Sequence, residues 1–131
     1  MSVELPLFVF GPMMSGGSMA HWLDGRKRQP ARARGQLYQL PGGYPAFCCA
    51  APDTASTGTI AGELVGPTIP EALLGVLDTL EGVGTTPVRR IRTDITASLR
   101  TFAAWAYVVD DPAAIGGVAL RADRWRGAVA R

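Results

Sequence analysis

Two places in the sequence carry residues whose type and spacing suit chemistry. The first is the loop Gly11-Pro12-Met13-Met14-Ser15-Gly16-Gly17, which follows the apolar run Leu5–Phe10 and precedes a helical pattern at Ser18–Leu23. Glycines placed after a strand expose backbone N–H groups, and a helix N-terminus adds positive potential, so a carboxylate or a developing oxyanion could bind there. The glycine spacing is that of the start of a phosphate loop, but Gly17 stands where the lysine belongs, which argues against nucleotide hydrolysis. An ordinary strand-to-helix turn is the competing reading.

The second is Glu81, which ends the segment Leu77-Asp78-Thr79-Leu80-Glu81-Gly82. Read plainly, this is a charged helix end with Gly82 as its cap. A negative charge near a helix C-terminus is disfavoured by the helix dipole, however, so the placement invites another explanation. Packed beside Leu80 and a sheet, the carboxyl would be desolvated and its pKa raised, which makes a proton carrier near neutral pH.

Other nucleophiles and ligands are scarce. His21 is the one histidine, so a site needing two histidine ligands is excluded and a Ser-His-Asp triad has a single choice of base. No serine lies in a G-x-S-x-G context, and beside Trp22 on a short helix His21 reads first as a capping or packing residue. Cys48 and Cys49 are adjacent, so on a strand they point to opposite faces. They make neither a disulfide framework nor a zinc spacing, and they read as thiols of a protein kept in the reducing cytoplasm.

The elements that must position these residues are mostly strands. Leu5–Phe10 is short, apolar and β-favouring; Ala33–Leu40 and Tyr44–Cys49 flank the turn Pro41-Gly42-Gly43 as a hairpin; Thr57–Val65 continues the series. The clearest helix spans Ile69–Leu80, with Pro70 in its first turn and Leu73, Leu74, Leu77 and Leu80 at helical spacing. Val88–Ile95 and Thr101–Val109 follow as two more strands across the polar link 96–100, with Trp105 and Tyr107 on one face. Strands in runs with two helices favour an antiparallel α+β fold such as a small barrel over a doubly wound parallel sheet.

Length and composition agree with one domain over residues 1–131: 47% of the residues are hydrophobic, enough for a core without disulfides or metals. No stretch suits a membrane span or a signal peptide, because Leu5–Phe10 contains Pro6 and reaches Gly11 at once. The net charge of +2 conceals clusters at Arg26, Lys27, Arg28, Arg32 and Arg34 and again at Arg121, Arg124, Arg126 and Arg131. Asp24, Asp110, Asp111 and Asp123 lie near them and no nucleic-acid signature accompanies them, so solvated faces and local ion pairs are expected rather than nucleic acid.

The order of motifs then matters. Phe10-Gly11-Pro12-Met13 after a strand, Gly35-Gln36-Leu37-Tyr38, Tyr44-Pro45-Ala46, Gly62-Glu63-Leu64, Leu77–Gly82, Arg89-Arg90 and Ala104-Trp105-Ala106-Tyr107-Val108 together resemble the γ-glutamylcyclotransferase-like (AIG2-like) family, from about Leu7 to Trp125. The resemblance implies a small mixed, mainly antiparallel β-barrel with flanking short helices. It also implies conversion of a γ-glutamyl amine or amide into 5-oxoproline with release of the amine, with no cofactor and no metal. Glu81 matches the family's proton-transferring glutamate. The loop amides that hold the glutamyl part fall at Phe10, Gly11, Pro12 and Met13 and extend to Met14, while Tyr44 and Tyr107 either line the pocket or are core-edge aromatics.

Three positions depart from the family's pattern. Its loop usually reads Tyr-Gly-Ser/Thr-Leu; here Phe10 lacks the hydroxyl, and Pro12 lacks both a hydroxyl and a backbone N–H. Val88 stands where relatives commonly carry a tyrosine before the arginines. The alternative is therefore a catalytically divergent member that binds a small carboxylate without this turnover.

Overall fold

A computed structural model describes residues 4–49 and 58–126 of the chain. Five strands close into a barrel: β1 (Leu7–Val9), β2 (Lys27–Gln39), β4 (Thr59–Gly66), β5 (Val88–Ala97) and β6 (Arg100–Val109). The order β2-β4-β1-β6-β5 returns to β2 through the Arg32–Thr96 pairing, which leaves no free edge in the ring. All pairs are antiparallel except β1 with β6, joined in parallel at Leu7 and Trp105, so the barrel is mixed. β3 (Pro45–Cys49) and the two-residue β7 (Val118–Ala119) extend the far half of β2. The α+β barrel implied by the resemblance is thus present.

Side-chain alternation divides the core in two. Phe8 turns into the barrel with Ala31, Ala33, Leu37, Ile60, Ile95 and Ala106, whereas Leu7 and Val9 turn outward onto Leu74 and Leu77 of the helix α1 (Glu71–Glu81). The interior is narrow, and β2 meets it with Ala31, Ala33 and Gly35 while Arg32 and Arg34 face out. That alternation extends β2 six residues ahead of the expected start at Ala33, through a stretch whose charge and Pro30 disguise it as a solvated face.

Gly35 marks where β2 exchanges one partner for another, β4 through Arg34 and β3 from Gly35 onward. Its φ is 152°, and a Cβ there would stand 2.3 Å from the Phe47 ring and 2.4 Å from the Cys48 carbonyl oxygen. Only glycine fits such an approach.

The expected helix at Ser18–Leu23 shrinks to one 3-10 turn at Ala20–Leu23 with Met19, not Ser18, preceding it and no side-chain cap. The glycine loop therefore lacks the helix dipole anticipated for it. A second 3-10 turn, Pro112–Ile115, was not foreseen; Asp111 caps it by accepting from the Ala114 amide. Pro70 is the residue before α1 rather than within its first turn, and Gly82 closes the helix in the left-handed region with φ 80°. The β5–β6 link turns tightly at Ser98 and Leu99, both at positive φ.

Ion pairs absorb much of the basic charge. Arg28 pairs with Glu63, Arg32 with Asp123, Arg89 with Asp110 and Arg90 with Asp78. Among the described residues no helix is long and apolar enough to cross a membrane. Thr57 and Arg131 lie outside the described residues.

Candidate active site

A cavity of about 380 Å³ opens between the end of β1, the glycine loop, the C-terminus of α1 and the start of β5. Phe10, Gly11, Pro12 and Met13 form one wall, and Glu81, Val88 and Tyr107 another, so two signals seventy residues apart in sequence share one space. Tyr44 stands at the mouth, 67% exposed, as a rim residue rather than a core-edge aromatic. Met14 is the exception: it does not line the cavity, and its side chain is buried with Leu7, Val9 and Leu23.

The loop's hydrogen bonds say which amides remain open. Met14 donates to the Gly11 carbonyl at 2.9 Å, Gly17 to that of Met14 at 2.8 Å and Met19 to that of Pro12 at 3.0 Å. The Met14 amide, expected to meet substrate, is thus committed to closing the turn. Gly17 is fixed by close approach, since a Cβ would lie 2.0 Å from the Pro12 oxygen. Among the described residues the Gly11 and Met13 amides donate to no acceptor, and both residues line the cavity.

A pair that the sequence did not single out for this task holds the loop down. Arg28 on β2 donates to the Met13 carbonyl at 2.7 Å, to the Ala20 carbonyl at 3.1 Å and to Glu63 on β4 at 2.9 Å. Glu63 also accepts from the Ser15 amide at 2.8 Å. Burial works to raise the Glu63 carboxyl, but the Ser15 amide and the Arg28 guanidinium outweigh it and hold its pKa below the ordinary value. Glu63 lies within the quoted segment Gly62-Glu63-Leu64, yet its partner is thirty-five residues away, so spacing alone could not disclose the clamp.

Across the cavity, α1 delivers two carboxylates one turn apart with opposite fates. Asp78 accepts from Nε and Nη2 of Arg90, at 2.8 and 3.2 Å, and from the Tyr107 hydroxyl at 2.7 Å. Burial opposes its ionisation, but these donors prevail and hold the Asp78 carboxyl below its ordinary pKa. Glu81 accepts no hydrogen bond from any described residue, and burial alone raises its pKa. Tyr107 is 5% exposed, and burial followed by its bond to Asp78 pushes the phenol far above its ordinary pKa. It is a neutral donor already engaged, offering the cavity its ring and the remaining lone pairs of its oxygen.

The remaining candidates fall outside. His21 is exposed beside Trp22, with ring centroids 5.4 Å apart, and does not line the cavity. Cys48 and Cys49 are free and half-buried; Cys48 donates to the Asp110 carbonyl and Cys49 shares a contact with Thr93. Trp105 packs under Arg90, whose guanidinium carbon lies 4.4 Å from the ring centroid.

No curated protein matches the chain. Solved structures share its fold at low identity. YkqA from Bacillus subtilis superposes with a TM-score of 0.70 at 18% identity, over 94% of this chain and 40% of that one. An AIG2-like protein from Mus musculus gives 0.70 at 13% identity, over 95% of this chain and 90% of the other. A gamma-glutamyl cyclotransferase gives 0.60 at 12% identity, over 82% and 67%. This chain thus spans less than half the length of YkqA. Residues 7–127 match the family described as gamma-glutamyl cyclotransferase, AIG2-like, and since that is nearly the whole sequence, the chain belongs to this family.

Proposed function

We propose that the protein cyclises a γ-glutamyl amine or amide to 5-oxoproline and releases the amine, with Glu81 as the proton carrier. The observation that carries this reading is Glu81 itself: a desolvated carboxyl with no protein donor, in the same cavity as the unpaired Gly11 and Met13 amides. The substrate's α-amine, as free base, attacks its own γ-carbonyl carbon and a C–N bond forms. The attacking nitrogen becomes acidic and passes one proton to the Glu81 carboxylate. When the tetrahedral centre collapses, the bond to the departing nitrogen breaks and Glu81 returns that proton to it.

The Gly11 and Met13 amides are the donors offered to the glutamyl carboxylate or to the oxygen that gains charge. A raised pKa brings Glu81 closer to the basicity of the groups it exchanges with, which favours one residue acting in both directions. The test is a panel of γ-glutamyl amines and glutathione, followed by 5-oxoproline formation with wild type and Glu81→Gln. Absence of product across the panel, or full activity in the variant, sinks the assignment.

The missing donors at Phe10, Pro12 and Val88 support a second reading, binding of a small carboxylate without turnover. Calorimetry with glutamate, 5-oxoproline and γ-glutamyl compounds separates it: saturable binding by a protein that forms no product favours the second reading over the first.

A further inference from the structure

Glu81 is the one charged side chain among the described residues that line the cavity; no lysine, arginine or aspartate joins it. Any carboxylate on the departing amine would therefore meet no cation, and any second ammonium would meet only the carboxyl that must do the proton transfer. Beyond the glycine loop and Glu81, Leu40, Val88, Val109 and Ile115 form apolar wall, and the polar groups there are the neutral hydroxyls of Ser18, Tyr44, Thr86 and Tyr107, of which Thr86 and Tyr107 already donate to Gly82 and Asp78. The surface tells the same story. Seven large hydrophobic residues are exposed on the described surface, and three of them, Tyr44, Leu80 and Ile115, line this single cavity.

The cavity, about 380 Å³ and open at the exposed Tyr44, has room for a γ-glutamyl group with its amine, so the chemistry of its walls rather than its volume does the selecting. Resting on the cyclotransfer reading above, we infer that the departing group is an alkylamine with an uncharged, apolar tail rather than an amino acid, a dipeptide or a diamine. The apolar mouth formed by Tyr44 and Ile115 is what selects it. Val88 fits this role: where a phenol would present a hydroxyl to a polar substrate, an isopropyl group extends the apolar wall.

The experiment compares kcat/KM for 5-oxoproline formation from the γ-glutamyl methyl-, ethyl- and n-propylamides with that from γ-glutamylglycine, which has nearly the size of the propylamide but carries a carboxylate. The expected result is a rise of about fourfold per methylene, about fifteenfold from methyl to propyl. γ-Glutamylglycine should fall at least tenfold below the propylamide. Ile115→Arg places a cation at the rim and should improve γ-glutamylglycine about tenfold relative to the propylamide. Tyr44→Arg, at a still more exposed position, should move the ratio the same way and guards against a misfolded first variant.

Indifference to chain length, or a preference for γ-glutamylglycine in the wild type, overturns this inference and leaves cyclotransfer standing. Absence of 5-oxoproline from all four amides, while another member of the γ-glutamyl panel or glutathione is turned over, overturns this inference alone; absence across the whole panel overturns the cyclotransfer reading and the inference with it.

Discussion

Replacing Glu81 by glutamine should make the protein more stable at neutral pH while removing its activity. Burial raises the folded-state pKa of Glu81 above its unfolded value of about 4.3, and no donor or cation offsets the effect. Between these two values the folded chain holds a proton that the unfolded chain has lost, so stability falls as pH rises through that window. Above the folded-state pKa the penalty is complete; below the unfolded value it vanishes. Glutamine keeps the shape without the charge. Both side chains leave a polar group unsatisfied, which costs about 1–3 kcal/mol and more when the group is charged, so the exchange recovers only the difference, on the order of 1 kcal/mol for a residue that keeps some exposure. With an unfolding entropy near 2.1 cal/mol/K per residue, about 1 kcal/mol in a chain of this length corresponds to a Tm about 4 °C higher for the variant. Thermal unfolding of both proteins at pH 7 and again near pH 4 checks the sign, since the gap should close at the lower pH. Turnover should fall by about 10²–10⁴-fold, the usual share of a general acid–base group. A variant equally or less stable at pH 7, or a gap that persists unchanged at low pH, would refute the claim that Glu81 is held desolvated and unpaired.

Asp78→Asn should act in the opposite sense: the lowered pKa of Asp78 contributes stability that is present above its unfolded value of about 3.9 and is lost as pH falls through the folded value. The variant should lose about 2–3 kcal/mol in urea unfolding at pH 7, since Arg90 is left partly buried without its ion pair, and less of a difference should remain below pH 3. Gly35→Ala should destabilise by at least about 2 kcal/mol because the new methyl overlaps the Phe47 ring and the Cys48 carbonyl, as guanidinium unfolding would report. Pro12→Ser returns a backbone N–H and a hydroxyl to the loop wall. One added hydrogen bond of about 1 kcal/mol should lower KM for γ-glutamyl substrates about fivefold, and an unchanged KM would show that residue 12 does not face the glutamyl group.

What could be read from the sequence was governed by distance along the chain. Strands with apolar periodicity, such as Thr101–Val109, and the leucine stripe of α1 carry their burial pattern locally, and their positions followed to within a few residues. The first part of β2 did not, because a barrel interior this narrow accepts alanine and glycine where a broader core would show leucine, and the intervening arginines dominate the impression. The glycine loop was legible as a turn, but the use of each amide was not. Whether Met14 donates inward to Gly11 or outward to a ligand depends on a closure that composition does not encode. The Arg28–Glu63 clamp and the Tyr107–Asp78 bond join residues from separate strands or from a strand and a helix, and only the register of the barrel brings them together.

That register also explains how two carboxylates at one helix end come to differ. Asp78 and Glu81 are three residues apart on α1, hence neighbours on its surface, and equal access to Arg90 and Tyr107 would have paired both carboxylates. The donors arrive from β5 and β6, where Arg90 and Tyr107 are direct cross-strand partners, and both converge on Asp78. Asp78 therefore anchors the last turn of α1 to the barrel and is fixed in its charged form. Glu81, one turn farther on and just before the left-handed Gly82, is carried past those donors into the cavity with nothing to stabilise its charge. The separation of their pKa values in opposite directions is a consequence of where two donors sit, and on the cyclotransfer reading it gives the first carboxylate the static role and the second the proton transfer.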